Sequence, residues 1–323
     1  MSWLSDLEYD AMQPLLSSSH DAIEYWTKRA ILHEKMPMPR DVLWDLKVPQ
    51  NILRKQRADG SWAYPSPHVP GSLDYNQIET YRQLGFLVEM FGFDRGHPQI
   101  EQAAEYILSN QTDEGDIRGI YARQYSPNYT AALLELLVKA GYDNDARVTK
   151  AFSWLDSVRQ DDGGWALAFR TQGRNLDAIY DRDKLLALDP TKPFSHLVTG
   201  VVLRAYAAHP IHKTSDSAKQ ATALLVSRLF EKDVYPDRDR TDDWIRFSFP
   251  FWQTDILSAL TIVGIIDPHL ADNPKVLQAK QWFIDHQQPD GLFAGHLLKD
   301  RYHDLRLWYS YAICRAFDTF ACS

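Results

Sequence analysis

The sequence predicts an all-α protein, an (α/α)6 toroid or barrel of about twelve helices in two concentric rings. The first reason is an internal repeat, whose Gln residues Gln56, Gln111 and Gln160 lie 55 and 49 residues apart. That period suits a pair of helices. The second is an alternation of two kinds of helix. Six helix pairs account for the whole length, so we expect one domain over residues 1–323.

The repeated segment consists of an amphipathic helix and a Gln- and Gly-rich ending. Its clearest copy spans residues 151–165, and further endings lie at 56–62, 111–115 and 288–293. We expect the Gly to take the left-handed conformation at the helix C′ position and the Gln to bond backbone groups left open at the helix end. The aromatic residue after the Gly offers a flat face to the neighbouring repeat. The repeated ending is therefore interpreted as structural.

The helices before the endings differ from those after them. Residues 148–158 are apolar every three or four positions, whereas 131–138, 197–208 and 256–266 are apolar nearly all round. A helix that is apolar on all faces must be enclosed, which predicts an outer ring around an inner ring. The final helix, 305–320, is still apolar, which favours closure over an open solenoid with polar caps. Helices are predicted to begin near Ser5, Ser19, Arg40, Asn76, Pro98, Pro127, Asp145, Ser195, Ser215, Phe251, Pro274 and Asp304.

Composition limits the classes of partner. A net charge of −8 argues against nucleic acid or an anionic membrane surface. The only cysteines, Cys314 and Cys322, exclude a disulfide framework and suggest a reduced compartment. The sequence shows neither a signal peptide nor an apolar run of about 20 residues, so we expect a cytoplasmic protein without a transmembrane segment.

An amphipathic helix followed by Gln-x(2,3)-Gly-x-Trp resembles the QW motif of terpenoid (squalene-type) cyclases and of protein prenyltransferase β subunits. Residues 160–165 are a near-full match, 56–62 a good one, and the other two copies are degenerate. The resemblance implies an α6/α6 barrel with a central, aromatic-lined cavity that accepts isoprenoid chains. It does not by itself imply a reaction.

The catalytic motifs of these relatives are missing from the sequence. Squalene-type cyclases protonate their substrate with Asp-x-Asp-Asp, and ionising terpene synthases carry Asp-Asp-x-x-Asp. The nearest stretches here, 181–184 and 239–243, fit neither motif. Classical cyclase chemistry is therefore not predicted.

The prenyltransferase comparison rests on residues 249–253, Phe-Pro-Phe-Trp-Gln, which resemble the start of that family's inner helix. Arg240 falls at the family's Arg position, but Arg246 and Ser248 replace its zinc-binding Asp and Cys. His303, in a Tyr-His pair, resembles its zinc His. One His alone does not make a four-coordinate site, so neither a metal nor any other cofactor is predicted.

The long connections before the inner helices predict where ligands bind, because long loops at one mouth often carry function. Converging helix N-termini there favour an anion such as diphosphate. Aromatic residues of this zone are interpreted as a cavity wall that stabilises a carbocation, the alternative being ordinary packing. The predicted ligand-binding residues are Tyr75, Tyr125, Tyr129, His196, Arg240, Arg246, Phe249, Trp252, His303 and Trp308.

Three acids lie in the first or second turn of presumed inner helices: Glu79, Asp255 and Asp304. A carboxyl whose pKa is raised by burial acts as a general acid, so these are the catalytic candidates. The alternative for each is a helix-dipole or salt-bridge carboxylate.

Three functions stay open. The first is an enzyme or carrier for a small apolar or amphiphilic ligand of isoprenoid type, such as a prenyl diphosphate. The second is a carbohydrate-active α/α-barrel lyase or glycosidase. The third is a non-catalytic ligand-binding or scaffolding module.

Overall fold

A computed structural model describes residues 2–66, 73–180, 184–250, 253–298 and 304–321. Within these ranges the protein is predominantly helical, with one parallel pair of two-residue strands, which confirms the all-α class. The α-helices are α1 (Met12–Leu16), α2 (Asp21–Trp26), α3 (Lys47–Leu53), α4 (Tyr75–Gly85), α5 (Pro98–Leu108), α6 (Pro127–Leu137), α7 (Ala146–Ser157), α8 (Ala168–Thr171), α9 (His196–Ala208), α10 (Asp216–Ser227), α11 (Ile256–Ile266), α12 (Pro274–Asp285) and α13 (Leu305–Ala321); the strands are β1 (Arg246–Phe247) and β2 (His296–Leu297).

Twelve of these helices correspond to the twelve predicted ones, and the short α8 was not expected. Some begin later than predicted. A short 3-10 helix, Ser2–Asp6, lies at the start predicted near Ser5, whereas α1 itself begins only at Met12, whose backbone N–H donates to Oδ1 of Asp10 at 2.8 Å. Asp255 caps α11 through a capping box with Ser258. The helix therefore begins at Ile256, five residues after the predicted start near Phe251.

The predicted distinction between two kinds of helix is confirmed by burial. Nearly every side chain of α6, α9 and α11 is buried. By contrast, α5, α7 and α12 bury only one stripe, which in α12 consists of Val276, Ala279 and Phe283. Helices that are apolar all round are therefore the enclosed ones.

The chain forms two compact units. The first contains residues 1–39 and 213–323, and the second contains residues 40–212. Within the second unit α6 lies against α9, and within the first α11 lies against α13. A single closed ring over residues 1–323 stays a prediction.

The Gly of the repeated ending is a turn residue and not a helix C′ residue. The Gln and the later aromatic or apolar residue form an isolated antiparallel bridge, and the Gly lies in the turn between them. Gly60, with φ +87°, illustrates this: it comes seven residues after α3 ends at Leu53. The bridged pairs are Gln56 with Trp62, Gln111 with Ile117, and Gln287 with Phe293.

The Gln side chain joins successive helix pairs. Nε2 of Gln56 donates to the carbonyl of Gly60 at 2.9 Å and to that of Gln99, in the first turn of α5, at 2.8 Å. The predicted acceptors were backbone groups left open at the end of the preceding helix. The observed acceptors lie instead in the turn of the Gln itself and in the next outer helix. Equivalent bonds run from Gln111 to Gly115 and Arg147, and from Gln287 to Gly291 and Tyr9.

Two copies depart from the predicted alignment. In the last copy Gln287 makes these bonds, and not Gln288, because Gln287 lies six residues before the aromatic Phe293. In the copy at 160–165, Arg159 donates to the carbonyl of Gly163 at 3.0 Å. Gln160 instead donates to two carbonyls of the connection that follows, those of Asp189 and Lys192.

A hydroxyl group on the following inner helix completes each ending. The backbone N–H of Trp165 donates to Oγ1 of Thr199 at 2.9 Å, and both residues are fully buried. The same bond joins Trp62 to Thr80, Ile117 to Thr130, and Phe293 to Ser310. The endings that begin at Gln56 and Gln111 therefore connect to the next outer helix through the Gln, and all four endings connect to the following inner helix through a hydroxyl group.

Candidate functional site

In the first unit, two predicted site residues, Asp304 and Trp308, contact His20, and a third, Phe249, contacts Trp308. The Nε2 atom of His20 lies 2.9 Å from Oδ2 of Asp304. The imidazole also meets the indole of Trp308 edge to face, with ring centroids 5.3 Å apart. Phe249 stacks on the same indole at 5.5 Å, with 9° between the ring planes.

The position of His20 follows from helix capping. His20 is the N-cap of α2, and its Nδ1 accepts the backbone N–H of Ile23 at 3.4 Å. An imidazole nitrogen that accepts a hydrogen bond carries no proton, so the proton is on Nε2. His20 therefore donates to Asp304, and one imidazole both starts α2 and orients the carboxyl group at the start of α13.

Two polar atoms of this cluster have no hydrogen-bond partner within the described ranges. They are Oδ1 of Asp304 and Nε1 of Trp308, and both are buried. Trp308 is 0% exposed. Buried polar atoms in proteins are nearly always paired, and exceptions are often functional. We call His20, Phe249, Asp304 and Trp308 the His20–Trp308 cluster.

Asp255, another predicted acid of this unit, is a capping residue. It is 1% exposed, and its Oδ1 accepts the N–H of Ser258 at 2.7 Å. Burial, together with the Asp255 charge, raises the pKa of Tyr309. Asp255 thus caps α11 with one of its carboxylate oxygens.

In the second unit, three predicted residues, Glu79, Tyr75 and Tyr129, make ion-pair or ring contacts. Glu79 pairs with Arg82 at 3.2 Å, and the Arg82 guanidinium lies over the ring of Tyr64, 5.8 Å from its centroid. Tyr64 meets Tyr75 edge to face at 5.0 Å. Tyr129 meets Tyr121 at 4.9 Å. Burial raises the pKa of Tyr129 to about 12.

Tyr125 and His196 lie elsewhere in this unit. The Tyr125 hydroxyl donates to Glu114 at 2.7 Å, and Arg118 lies over its ring. His196 is 3% exposed and is the first residue of α9, directly after the N-cap Ser195.

The predicted arginines pair with nearby acids. Arg240 is 66% exposed and bonds Asp242 two residues away. Arg246 begins β1, with its Nη1 3.5 Å from Asp243, which also pairs with the buried Arg238 at 2.9 Å. Trp252 and His303 lie outside the described residues.

In the described ranges, no group of three or more His, Cys, Asp or Glu side chains is arranged to hold a metal ion. No helix in these ranges is both long and apolar enough to span a membrane.

The repeat and the helix pairs agree with a known family. Residues 72–175 match the squalene-hopene cyclase C-terminal domain. The resemblance to squalene-type cyclases is thereby confirmed. The matched segment lies in the second unit and contains α4 to α8.

Individual relatives are distant. The squalene–hopene cyclase of Zymomonas mobilis is 26% identical over 106 residues, which are 33% of this chain and 15% of the relative. The chain therefore matches only a small part of that cyclase. Among solved structures, the type II terpene cyclase MstE from Scytonema aligns with 84% of this chain and 95% of its own, at 13% identity and a TM-score of 0.33. An α-amylase from Clostridium perfringens aligns with 84% and 78%, at 11% identity and a TM-score of 0.45.

Sequence reasoning missed His20. It lies in a predicted helix start, and the only available signal was its position directly before Asp21, where a capping residue is expected. The sequence does not indicate that its second nitrogen reaches Asp304 at the other end of the chain.

Proposed function

We propose that the protein is a cyclase-like enzyme that binds an apolar isoprenoid-type ligand at the His20–Trp308 cluster. In this proposal Asp304 is the proton donor. The observation that carries it is the carboxyl group of Asp304, which has one oxygen bonded to His20 and the other buried without a partner in the described part of the chain.

The two oxygens of Asp304 have different roles in the proposed reaction. Oδ1 transfers a proton to the bound ligand. If the proton reaches a double bond, the π electrons form the new C–H bond; if it reaches the oxygen of an allylic hydroxyl group, the C–O bond breaks and water leaves. A carbocation results in both cases. The hydrogen bond from His20 Nε2 to Oδ2 stabilises the carboxylate that remains. His20 is thus a positioning residue, whereas Asp304 touches the reacting group.

The aromatic residues of the cluster suit the second half of the reaction. A cation near the face of an indole or phenyl ring is stabilised by the ring quadrupole by about 2 kcal/mol where water is excluded. Trp308 is completely buried, and Phe249 stacks on it. Loss of a proton from the final cation to the Asp304 carboxylate gives the neutral product and restores the acid.

The other predicted acids favour this assignment over a glycosidase. A glycosidase needs two carboxyl groups that both face the substrate. Asp255 accepts the N–H of Ser258 in a capping box, and Glu79 pairs with Arg82. The scaffolding alternative is an outcome of the experiment below.

The experiment measures consumption of three ligands, squalene, geranylgeraniol and geranylgeranyl diphosphate, by gas chromatography with mass detection. We expect wild type to convert at least one of them and Asp304→Asn to lose at least about 100-fold of that rate, the usual weight of a general acid. The matched control is His33→Asn, which removes another His–Asp pair of the same unit, His33 with Asp318 at 3.1 Å. Asn tolerates the positive φ of His33.

Three results bear on the proposal. Conversion by wild type and by His33→Asn, but not by Asp304→Asn, supports it. Equal conversion by Asp304→Asn overturns the assignment of the acid. Absence of conversion of all three ligands by wild type overturns the proposed enzyme and favours a non-catalytic role.

A further inference from the structure

The two unpartnered atoms of the His20–Trp308 cluster differ in whether they donate or accept hydrogen bonds. Nε1 of Trp308 only donates, whereas Oδ1 of Asp304 accepts when the carboxyl group is ionised and donates when it is protonated. They lie one helical turn apart, because the backbone N–H of Trp308 donates to the carbonyl of Asp304 at 3.2 Å.

His20 contacts both groups. It contacts the carboxyl group through Nε2 and the indole through its ring, which lies at 87° to the indole plane. Phe249 covers one face of the indole. With Oδ2 bonded to His20, the polar atoms left for a ligand are Oδ1 and Nε1.

We propose that this pair of atoms recognises a hydroxyl group on the ligand, so that the substrate class is a terpenoid alcohol. The inference rests on the proposed function. The hydroxyl oxygen accepts from Nε1 of Trp308, and the hydroxyl group donates to or accepts from Oδ1 of Asp304, depending on which of them carries the proton.

Other polar groups fit this pair less well. An ammonium group has no lone pair for Nε1 of Trp308. A diphosphate or carboxylate accepts from Nε1 but brings a negative charge to the Asp304 carboxyl group. A hydrocarbon leaves both atoms unpaired in a buried place, which is unfavourable. A hydroxyl group is neutral and satisfies both atoms.

The test compares geranylgeraniol with the corresponding hydrocarbon that lacks the hydroxyl group, by equilibrium binding to the full chain. For wild type we expect the alcohol to bind about tenfold more tightly, which is the usual effect of leaving buried hydrogen-bonding groups unpaired. The comparison needs no variant, so it is independent of folding defects.

Trp308→Phe then isolates the donor. Phe keeps an aromatic face against Phe249 but lacks the N–H, so we expect the ratio of alcohol affinity to hydrocarbon affinity to fall to about twofold or less. The matched control is Trp282→Phe in α12, which stacks on His286 in the same unit and should keep the full preference.

Equal affinity of wild type for alcohol and hydrocarbon would overturn this inference while leaving isoprenoid binding intact. Full preference in Trp308→Phe would overturn it as well. If no isoprenoid binds, the proposed function fails first and the inference fails with it, so the two failures are distinguishable.

Discussion

Nε of Arg204 donates a hydrogen bond to Oε2 of Glu135 at 2.9 Å, between two inner helices of the second unit. The two side chains are only 3% and 4% exposed. Arg204 also bonds the Tyr81 hydroxyl at 3.2 Å, and Lys139 pairs with Glu135 at 2.7 Å. A charged network therefore lies among helices that are otherwise apolar.

Breaking this network on one side is expected to be costly. Arg204→Leu leaves the Glu135 carboxylate buried with one cation fewer, and we expect a loss of about 3–5 kcal/mol in the free energy of unfolding. Removing both charges, in Arg204→Leu with Glu135→Leu, should recover much of that loss. Urea unfolding at pH 7 measures both.

The exposed pair of Arg240 and Asp242 is the control for this prediction. Arg240→Leu should change stability by less than about 1 kcal/mol, because water screens that pair. A similar loss of unfolding free energy for Arg204→Leu and Arg240→Leu would mean that the buried network contributes no more to stability than the exposed pair.

The same network predicts a pH dependence. Burial alone would raise the pKa of Glu135, but the charges of Arg204 and Lys139 outweigh it, and the pKa lies below its ordinary value of 4.5. A carboxyl group with a lowered pKa contributes stability above its unfolded pKa, and the contribution is lost as the pH falls through the folded value. The difference in unfolding free energy between wild type and Glu135→Gln should thus be constant near pH 7 and shrink below about pH 4.5. A difference that grows on acidification would contradict this sign.

The turn glycine of the repeat gives a third prediction. A Cβ on Gly60 would overlap the carbonyl of Gln102 in α5, and φ is +87°. Gly60→Ala should therefore destabilise the protein by more than the roughly 1 kcal/mol of left-handed strain. Gly173→Ala is the control, because Gly173 has φ +67° and no neighbour within 4 Å of an added Cβ. Melting temperatures should fall much further for Gly60→Ala, and equal shifts would mean that the close approach to α5 costs nothing.

The fourth prediction concerns the inner-helix hydroxyl group that accepts a backbone hydrogen bond from each ending. Thr199→Val keeps the shape but leaves the N–H of Trp165 without its acceptor, so we expect a loss of about 1–3 kcal/mol. Thr222 is also fully buried, but its hydroxyl only donates to the carbonyl of Ala218 in its own helix. Thr222→Val should lower the free energy of unfolding, measured by chemical denaturation, by less than Thr199→Val does. The reverse order would mean that the repeated hydroxyl group does not stabilise the endings.

The helices were predictable from sequence because their apolar patterns are local. Residues 197–208 are apolar all round, and α9 is enclosed as expected. The alignment of the repeat was less secure, since Gln287 and Gln288 are both candidates in sequence and only the backbone bridge to Phe293 distinguishes them.

Side-chain partners across long sequence separations were not predictable. Arg204 and Glu135 are 69 residues apart, and each is a polar residue in an apolar helix. Of the predicted acids, Asp304 alone has a buried, unpartnered oxygen in the described part of the chain. Its other oxygen bonds His20, which lies in the N-terminal segment. Pairing of this kind depends on tertiary packing.

The most direct test of the central proposal is to map where an isoprenoid binds. A benzophenone-bearing geranylgeraniol analogue, activated by light and followed by peptide mass spectrometry, labels residues next to the bound chain. We predict saturable labelling of the segments that contain Phe249 and Trp308, in competition with unlabelled geranylgeraniol. Labelling confined to the segments of Tyr75 and Tyr129, or labelling that unlabelled geranylgeraniol does not reduce, would contradict the proposal.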